Sequence, residues 1–299
     1  MNAPTPHVVL RGVSKRYGSR YAVKNIDLSL SAGECVGLAG HNGAGKSTII
    51  KLMLGLITPS EGEVDLLGKN IAAGSGAELR SQIGYLPETA ALHPSLTGKE
   101  TLDFYAKLKK QPTAKNADLL ARVGIAQAAG QRVATYSKGM RQRLALAQAL
   151  LGTPKVLLFD EPTTGLDPAS RQMFYGIVKE LSREGATVLL STHALAELDG
   201  HADRIVVMKN GSKVADGSLG QLQAQSGLPV HIRAQLKQAA DLPAHWQLSD
   251  GLMFATQCSA EEKMARLREL GSIDNIAQLD IHTPTLDEMY AQFLKREDV

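Results

Sequence analysis

Gly40-His41-Asn42-Gly43-Ala44-Gly45-Lys46-Ser47 is the stretch that decides the fold. It satisfies G-x-x-x-x-G-K-[ST], a spacing that wraps a loop around phosphate. The apolar run Cys35 to Ala39 precedes it, and a stretch of helical character, Ile49 to Leu56, follows. Strand, loop and helix in that order are the context the motif needs. Glycine lets the backbone approach phosphate oxygens without a Cβ in the way. Free N–H groups and a helix N-terminus favour an anion. Lys46 can reach β- and γ-phosphates, and the Ser47 hydroxyl can ligate Mg²⁺. Gly40, Asn42, Gly43, Ala44, Gly45 and Thr48 complete the expected nucleotide-binding set, and His41 reads as a loop residue.

Further along, Val156-Leu157-Leu158-Phe159 is an apolar strand that ends in Asp160-Glu161. A buried strand of a parallel sheet delivers such acids to the crevice where ligands bind. Asp160 is placed to hold Mg²⁺. Glu161 is the candidate general base that orients and polarises an attacking water.

The rest of the chain reads around these two motifs. Val8, Leu10, the turn-like Tyr17-Gly18-Ser19, then Ile26, Leu28 and Leu30 give an early β pattern, and Glu61 to Leu67 adds a strand. From about 88 to 151 apolar residues recur at helical spacing, as in Leu144, Ala147 and Leu151, which predicts a helical insertion. Thr187 to Leu190 and Ile205 to Met208 return as strands separated by helices, the mark of βαβ units. Asn210-Gly211 predicts a hairpin turn. Gly217 to Pro229 reads as a Gln/Ser/Gly-rich linker. Beyond it a small α+β domain is expected, with a strand at Leu252 to Thr256 and helices near Ala260 to Leu270 and Leu286 to Leu294. The expected division is 1–220 and 221–299.

Composition excludes several classes. Over 299 residues the net charge is only +3, so no electrostatic case for nucleic acid arises. The densest basic patch, Lys107, Lys109 and Lys110, reads as a solvated helix face. Cys35 and Cys258 have no partner at metal spacing, so neither a disulfide framework nor a zinc site is expected. No basic region followed by a long apolar run opens the chain, and no window reaches membrane-spanning length.

Tyr136-Ser137-Lys138-Gly139-Met140-Arg141-Gln142-Arg143 lies a short distance before Asp160. Together with the phosphate loop and the acidic strand, it resembles the signature motif of ABC transporter nucleotide-binding subunits. The resemblance covers roughly residues 7 to 220. It implies a P-loop NTPase core with a mostly parallel sheet, an antiparallel β subdomain and the helical insertion. It also implies an ATP sandwich in which Ser137 and Gly139 of one copy grip the γ-phosphate bound by the other. Tyr17 resembles the aromatic that stacks on adenine. Thr164-Gly165-Leu166-Asp167 resembles the loop that communicates between copies, with Asp167 carried over as a nucleotide-side contact. His193 matches the switch histidine that meets the γ-phosphate. The family usually has Gln after Tyr-x-Pro, whereas Tyr85-Leu86-Pro87 is followed here by Glu88, a potential Mg²⁺ ligand that adds negative charge beside the phosphates.

Within the family, Lys138, Met140 and the closing Thr285 to Tyr290 stretch resemble exporter-type (ABC-2) ATPases. The chain as a whole looks most like the Nos ATPases, which serve copper-site maturation of nitrous oxide reductase. That likeness implies a second copy of the chain, a membrane permease and a periplasmic accessory protein, with the ATPase on the cytoplasmic face of the inner membrane. Another exporter-type system is the alternative. A non-transport ABC protein acting on ribosomes or DNA fits less well, because one cassette is present and no sustained heptads occur.

Overall fold

The computed structural model describes residues 6–71, 76–238, 242–271 and 275–295. The chain forms two compact units, Met1–Val214 and Ala215–Val299.

The first unit opens with a β-hairpin, β1 (Pro6–Tyr17) and β2 (Arg20–Ser31), joined at Gly18. β1 also pairs antiparallel with β4 (Glu61–Leu66), which pairs with β5 (Lys69–Asn70), giving the order β2-β1-β4-β5. Alternate residues of the hairpin, among them Val8, Leu10, Ile26, Leu28 and Leu30, turn inward, as a sheet with one solvated face requires.

A second sheet has the order β10-β9-β3-β8-β7-β6. Its strands are β3 (Cys35–Ala39), β6 (Ile83–Leu86), β7 (Val156–Asp160), β8 (Thr187–Thr192), β9 (Arg204–Lys209) and β10 (Ser212–Gly217). From β9 to β6 the neighbours are parallel. Every residue of β3, β7 and β8 is buried. Strands covered on both faces read as continuous apolar runs and lose their alternation. Asn210 and Gly211 have φ 48° and 83° and make the turn between β9 and β10. Helix α1 (Lys46–Met53) buries Ile49, Ile50, Leu52 and Met53 in a core shared with the hairpin and with Val156, Leu158, Leu189 and Val206.

The remaining helices of this unit are α2 (Gly76–Ser81), α3 (Gly98–Leu108), α4 (Asn116–Arg122), α5 (Lys138–Ala149) and α6 (Pro168–Arg183). The expected insertion thus begins its helices at Gly98 rather than near 88, where a Thr97–Glu100 capping box starts α3. Lys109 departs from the expected solvated face. Its ammonium donates to the Ile83 and Leu151 carbonyls at 3.1 and 3.3 Å, and burial lowers its pKa to about 8.

In the second unit the expected linker contains a helix, α7 (Leu219–Ser226). Ser218 and Gln221 form a capping box, and Gly227, at φ 69°, closes the helix. Local capping, invisible to hydrophobic periodicity, makes a helix of a polar stretch. The unit continues with β11 (Val230–Leu236), β12 (Gln247–Asp250), β13 (Met253–Cys258), α8 (Lys263–Glu269), β14 (Ile276–His282) and α9 (Leu286–Lys295). These strands form an antiparallel sheet in the order β12-β13-β11-β14. Its core holds Val230, Ile232, Ala234, Trp246, Cys258 and Leu270. Both cysteines are free and buried. Among the described residues no helix is long and apolar enough to cross a membrane.

Candidate nucleotide site

The strand order brings the C-terminal ends of β3, β8 and β7 side by side. β3 leads into the 40–47 loop, β7 ends at Asp160, and β8 runs into His193. Three segments distant in sequence converge at one edge of the sheet because parallel crossovers return every strand in the same direction.

The loop enters α1 through Gly45, at φ 106°, with no side chain capping the helix. A Cβ at Gly45 would meet the Ala22 carbonyl oxygen at 2.7 Å, so both conformation and space demand glycine. The first-turn N–H groups of α1 consequently have no capping side chain and can serve an anion. Lys46 is buried, and its ammonium donates to the Gly40 carbonyl at 2.5 Å.

That ammonium also lies 3.3 Å from Glu161 Oε1. His193 Nδ1 is 2.7 Å from the other oxygen, Oε2. Glu161 sits at φ 49°, an unusual conformation for a residue with a side chain. Its N–H donates to both the carbonyl and the hydroxyl of Ser191, which fix the bend. The Ser191 hydroxyl in turn donates to Asp160 Oδ1 at 2.6 Å. Glu161 Oε1 is buried and accepts no hydrogen bond among the described residues, and the Lys46 ammonium is the cation that faces it.

These groups face an open cavity of about 560 Å³. Of the expected residues, Tyr17, Asn42, Gly43, Gly45, Lys46, Ser47, Thr48, Glu88, Glu161 and His193 line it. Tyr17 is 54% exposed, with the Lys15 ammonium 5.3 Å from its ring centroid. Gly40, Ala44 and Asp160 are buried and do not line it. Arg20, Tyr21, Ala22, His41 and Asn210 also line the cavity. His41 belongs to the phosphate loop itself, but the sequence offers little signal for the other four, since the β1–β2 and β9–β10 turns reach the loop only through the fold.

Ser137, Gly139 and Asp167 do not line this cavity. Ser137 caps α5, accepting from the Met140 N–H. Asp167 caps α6, accepting from the Ser170 hydroxyl at 2.5 Å and the Ser170 N–H at 2.9 Å. Those bonds, the hydroxyl's first, hold its carboxyl below the usual range. Two contacts tie α5 to the segment after β7 and to α6: Gln142 Nε2 donates to the Pro162 carbonyl, and Arg143 Nη2 donates to the Ser170 hydroxyl.

With this geometry in hand, likeness to known proteins becomes informative. The family model described as ABC transporter matches residues 23–164. The Nod factor export ATP-binding protein I of Rhizobium johnstonii is 34% identical over 96% of this chain and 94% of its own. The daunorubicin resistance ATP-binding protein DrrA3 of Streptomyces coeruleorubidus is 37% identical over 79% of this chain and 76% of its own. Among solved structures, an ATP-binding subunit of an ABC transporter superposes with a TM-score of 0.70 at 33% identity, covering 75% of this chain and 94% of that one. The dimeric structure of MJ0796, a bacterial ABC transporter cassette, gives 0.66 at 29% identity, covering 71% and 98%. The chain belongs to the ABC transporter family as an ATP-binding subunit, an ATPase.

Proposed function

We propose that this chain is the motor of an exporter-type ABC transporter and acts as one of two identical clamps on ATP. The observation that carries the reading is the Lys46–Glu161–His193 cluster at the mouth of an uncapped helix. A buried ammonium at such a mouth suits the phosphates of ATP, and a carboxylate held between cation and imidazole suits proton transfer. In this reading the phosphates compete with Glu161 for Lys46, which releases Oε1 to accept a proton from water. His193 holds Oε2 and so keeps the carboxylate aimed. Oxygens of Ser47, Asp160 and Glu88 are of the hard kind that Mg²⁺ prefers and would be the residues to hold it. Mg²⁺ held by them supplies charge neutralisation at the phosphates when bound.

Ser137 and Gly139 serve the site of the second copy, and Asp167 stations the loop beside it. The contacts of Gln142 and Arg143 carry movement between α5 and the acidic loop. A membrane permease is the partner that feels this movement, with the ATPase on the cytoplasmic side. Residues up to Val214 make the ATP-binding unit, and the rest serves regulation or assembly.

The names of the relatives above, a Nod factor export protein and a drug-resistance protein, favour the broad exporter reading over the copper-maturation one. The periplasmic accessory partner belongs with that narrower reading and has no separate support.

The decisive test is Glu161→Gln with ATP and Mg²⁺, followed by light scattering. The variant should accumulate as a closed dimer, because the γ-phosphate bridges persist when hydrolysis stops. Adding Ser137→Arg should reopen it. If Glu161→Gln remains monomeric with ATP both alone and with its membrane partner, the clamp mechanism is wrong.

A further inference from the structure

The tail sheet has two edges of different character. β12 is four residues long, whereas β14 runs seven residues, Ile276-Ala277-Gln278-Leu279-Asp280-Ile281-His282. β14 pairs with β11 on one side and ends the sheet on the other. It contains neither lysine nor proline, the usual protections of a free edge.

The faces of β14 sharpen the point. Its residues Leu279 and Ile281 stand beside Ala234 and Ile232, which belong to the core of the unit. Both are nevertheless 40% exposed. The core face thus continues past β11 onto an edge that no described element of the sheet covers.

We propose that β14 pairs antiparallel with β14 of a second copy of this chain, centred on Leu279, so that two tail sheets join into one. In this register Leu279 meets Leu279, with the exposed Ile281 of each copy on the same face, so the apolar face runs on across the pair. On the opposite face Gln278 stands across from Asp280, an amide against a carboxylate that it already reaches within its own strand at 3.0 Å. No like charges are opposed. Centring on Asp280 instead would set carboxylate against carboxylate, which is unfavourable in cross-strand pairs. The strand is therefore self-complementary about Leu279, and a second copy satisfies it without any other ligand. The inference rests on the reading of the chain as one of a pair, but the contact needs no nucleotide.

The test uses the full chain without nucleotide. Directly opposed residues of antiparallel strands lie about 4.5–5.5 Å apart at Cα, within disulfide reach. Leu279→Cys, oxidised with diamide as electron acceptor, should give a disulfide-linked dimer. Leu248→Cys on β12, at a position 62% exposed, should link far less despite its greater accessibility. Sedimentation should show a nucleotide-free dimer that Leu279→Lys abolishes while the circular dichroism spectrum is retained. Equal linkage at the two positions, or a nucleotide-free dimer unaffected by Leu279→Lys, would overturn the proposal. ATP-dependent closure of Glu161→Gln reads out the clamp separately. Closure without β14 linkage sinks only the tail contact, and linkage without closure sinks only the clamp.

Discussion

Two helix starts, those of α1 and α5, carry the residues that the motifs single out, and they are built in opposite ways. α1 begins at a glycine in left-handed conformation with no side-chain cap. α5 begins at Ser137, whose hydroxyl accepts from the Met140 N–H within its own helix. The glycines differ as well. Gly45 is demanded by its own chain, through φ 106° and the Ala22 carbonyl. Gly139 is not: a Cβ there would find only the Ser137 hydroxyl at 3.9 Å, an ordinary contact. The fold therefore explains Gly45, whereas no described neighbour within the chain requires a glycine at 139.

The largest effect should come from Lys46→Ala, which removes the cation that faces the cavity from α1. Loss of one preorganised charge at a reacting phosphate should lower ATP turnover by about 10²- to 10³-fold. Turnover within a factor of three of wild type would show that the α1 end is not the reacting one.

The two glycines should respond differently to the same substitution. Gly45→Ala should impair nucleotide binding and lower the melting temperature together, since strain and clash both fall within the chain. Gly139→Ala should leave melting temperature and nucleotide binding by the isolated chain unchanged. It should still reduce steady-state ATPase activity, because the added methyl meets only what docks from outside. Binding by fluorescent-nucleotide titration and unfolding by calorimetry would separate the two. A fall in melting temperature for Gly139→Ala would erase the distinction.

The far end of α5 supplies a smaller, pH-dependent effect. Lys109 donates to the Leu151 carbonyl just past that helix, and burial lowers its pKa to about 8 from the 10.5 of a free lysine. The unfolded chain therefore binds more protons than the folded one between these values, and stability rises with pH across that window. Below pH 8 both states are protonated and the burial penalty is present in full. Relative to Lys109→Met, the wild type should gain roughly 1–3 kcal/mol between pH 8 and 10.5. Denaturant midpoints of both proteins at pH 7 and pH 10 would reveal it, and a constant difference would refute the assignment.

By itself the sequence determined whatever depends on a few adjacent residues. The 40–47 loop, the Asp160-Glu161 strand end, the Asn210-Gly211 turn and the signature segment are all legible because backbone conformation and local chemistry are set within one turn. Strands buried on both faces were readable as apolar runs, and so was the change to helical spacing. The polar α7 was not legible, since its helix is specified by caps at Ser218 and Gly227 rather than by periodicity. The exposed β14 was not, because a strand with both faces open lacks clean alternation. Only the tertiary structure decided that Lys46 meets Glu161, that Ser191 braces both acids, that Arg20 and Asn210 reach the cavity, and that Lys109 turns inward. Each of these pairings depends on which strands lie side by side. That order is chosen by burial summed over the whole sheet, a quantity no local stretch of sequence contains.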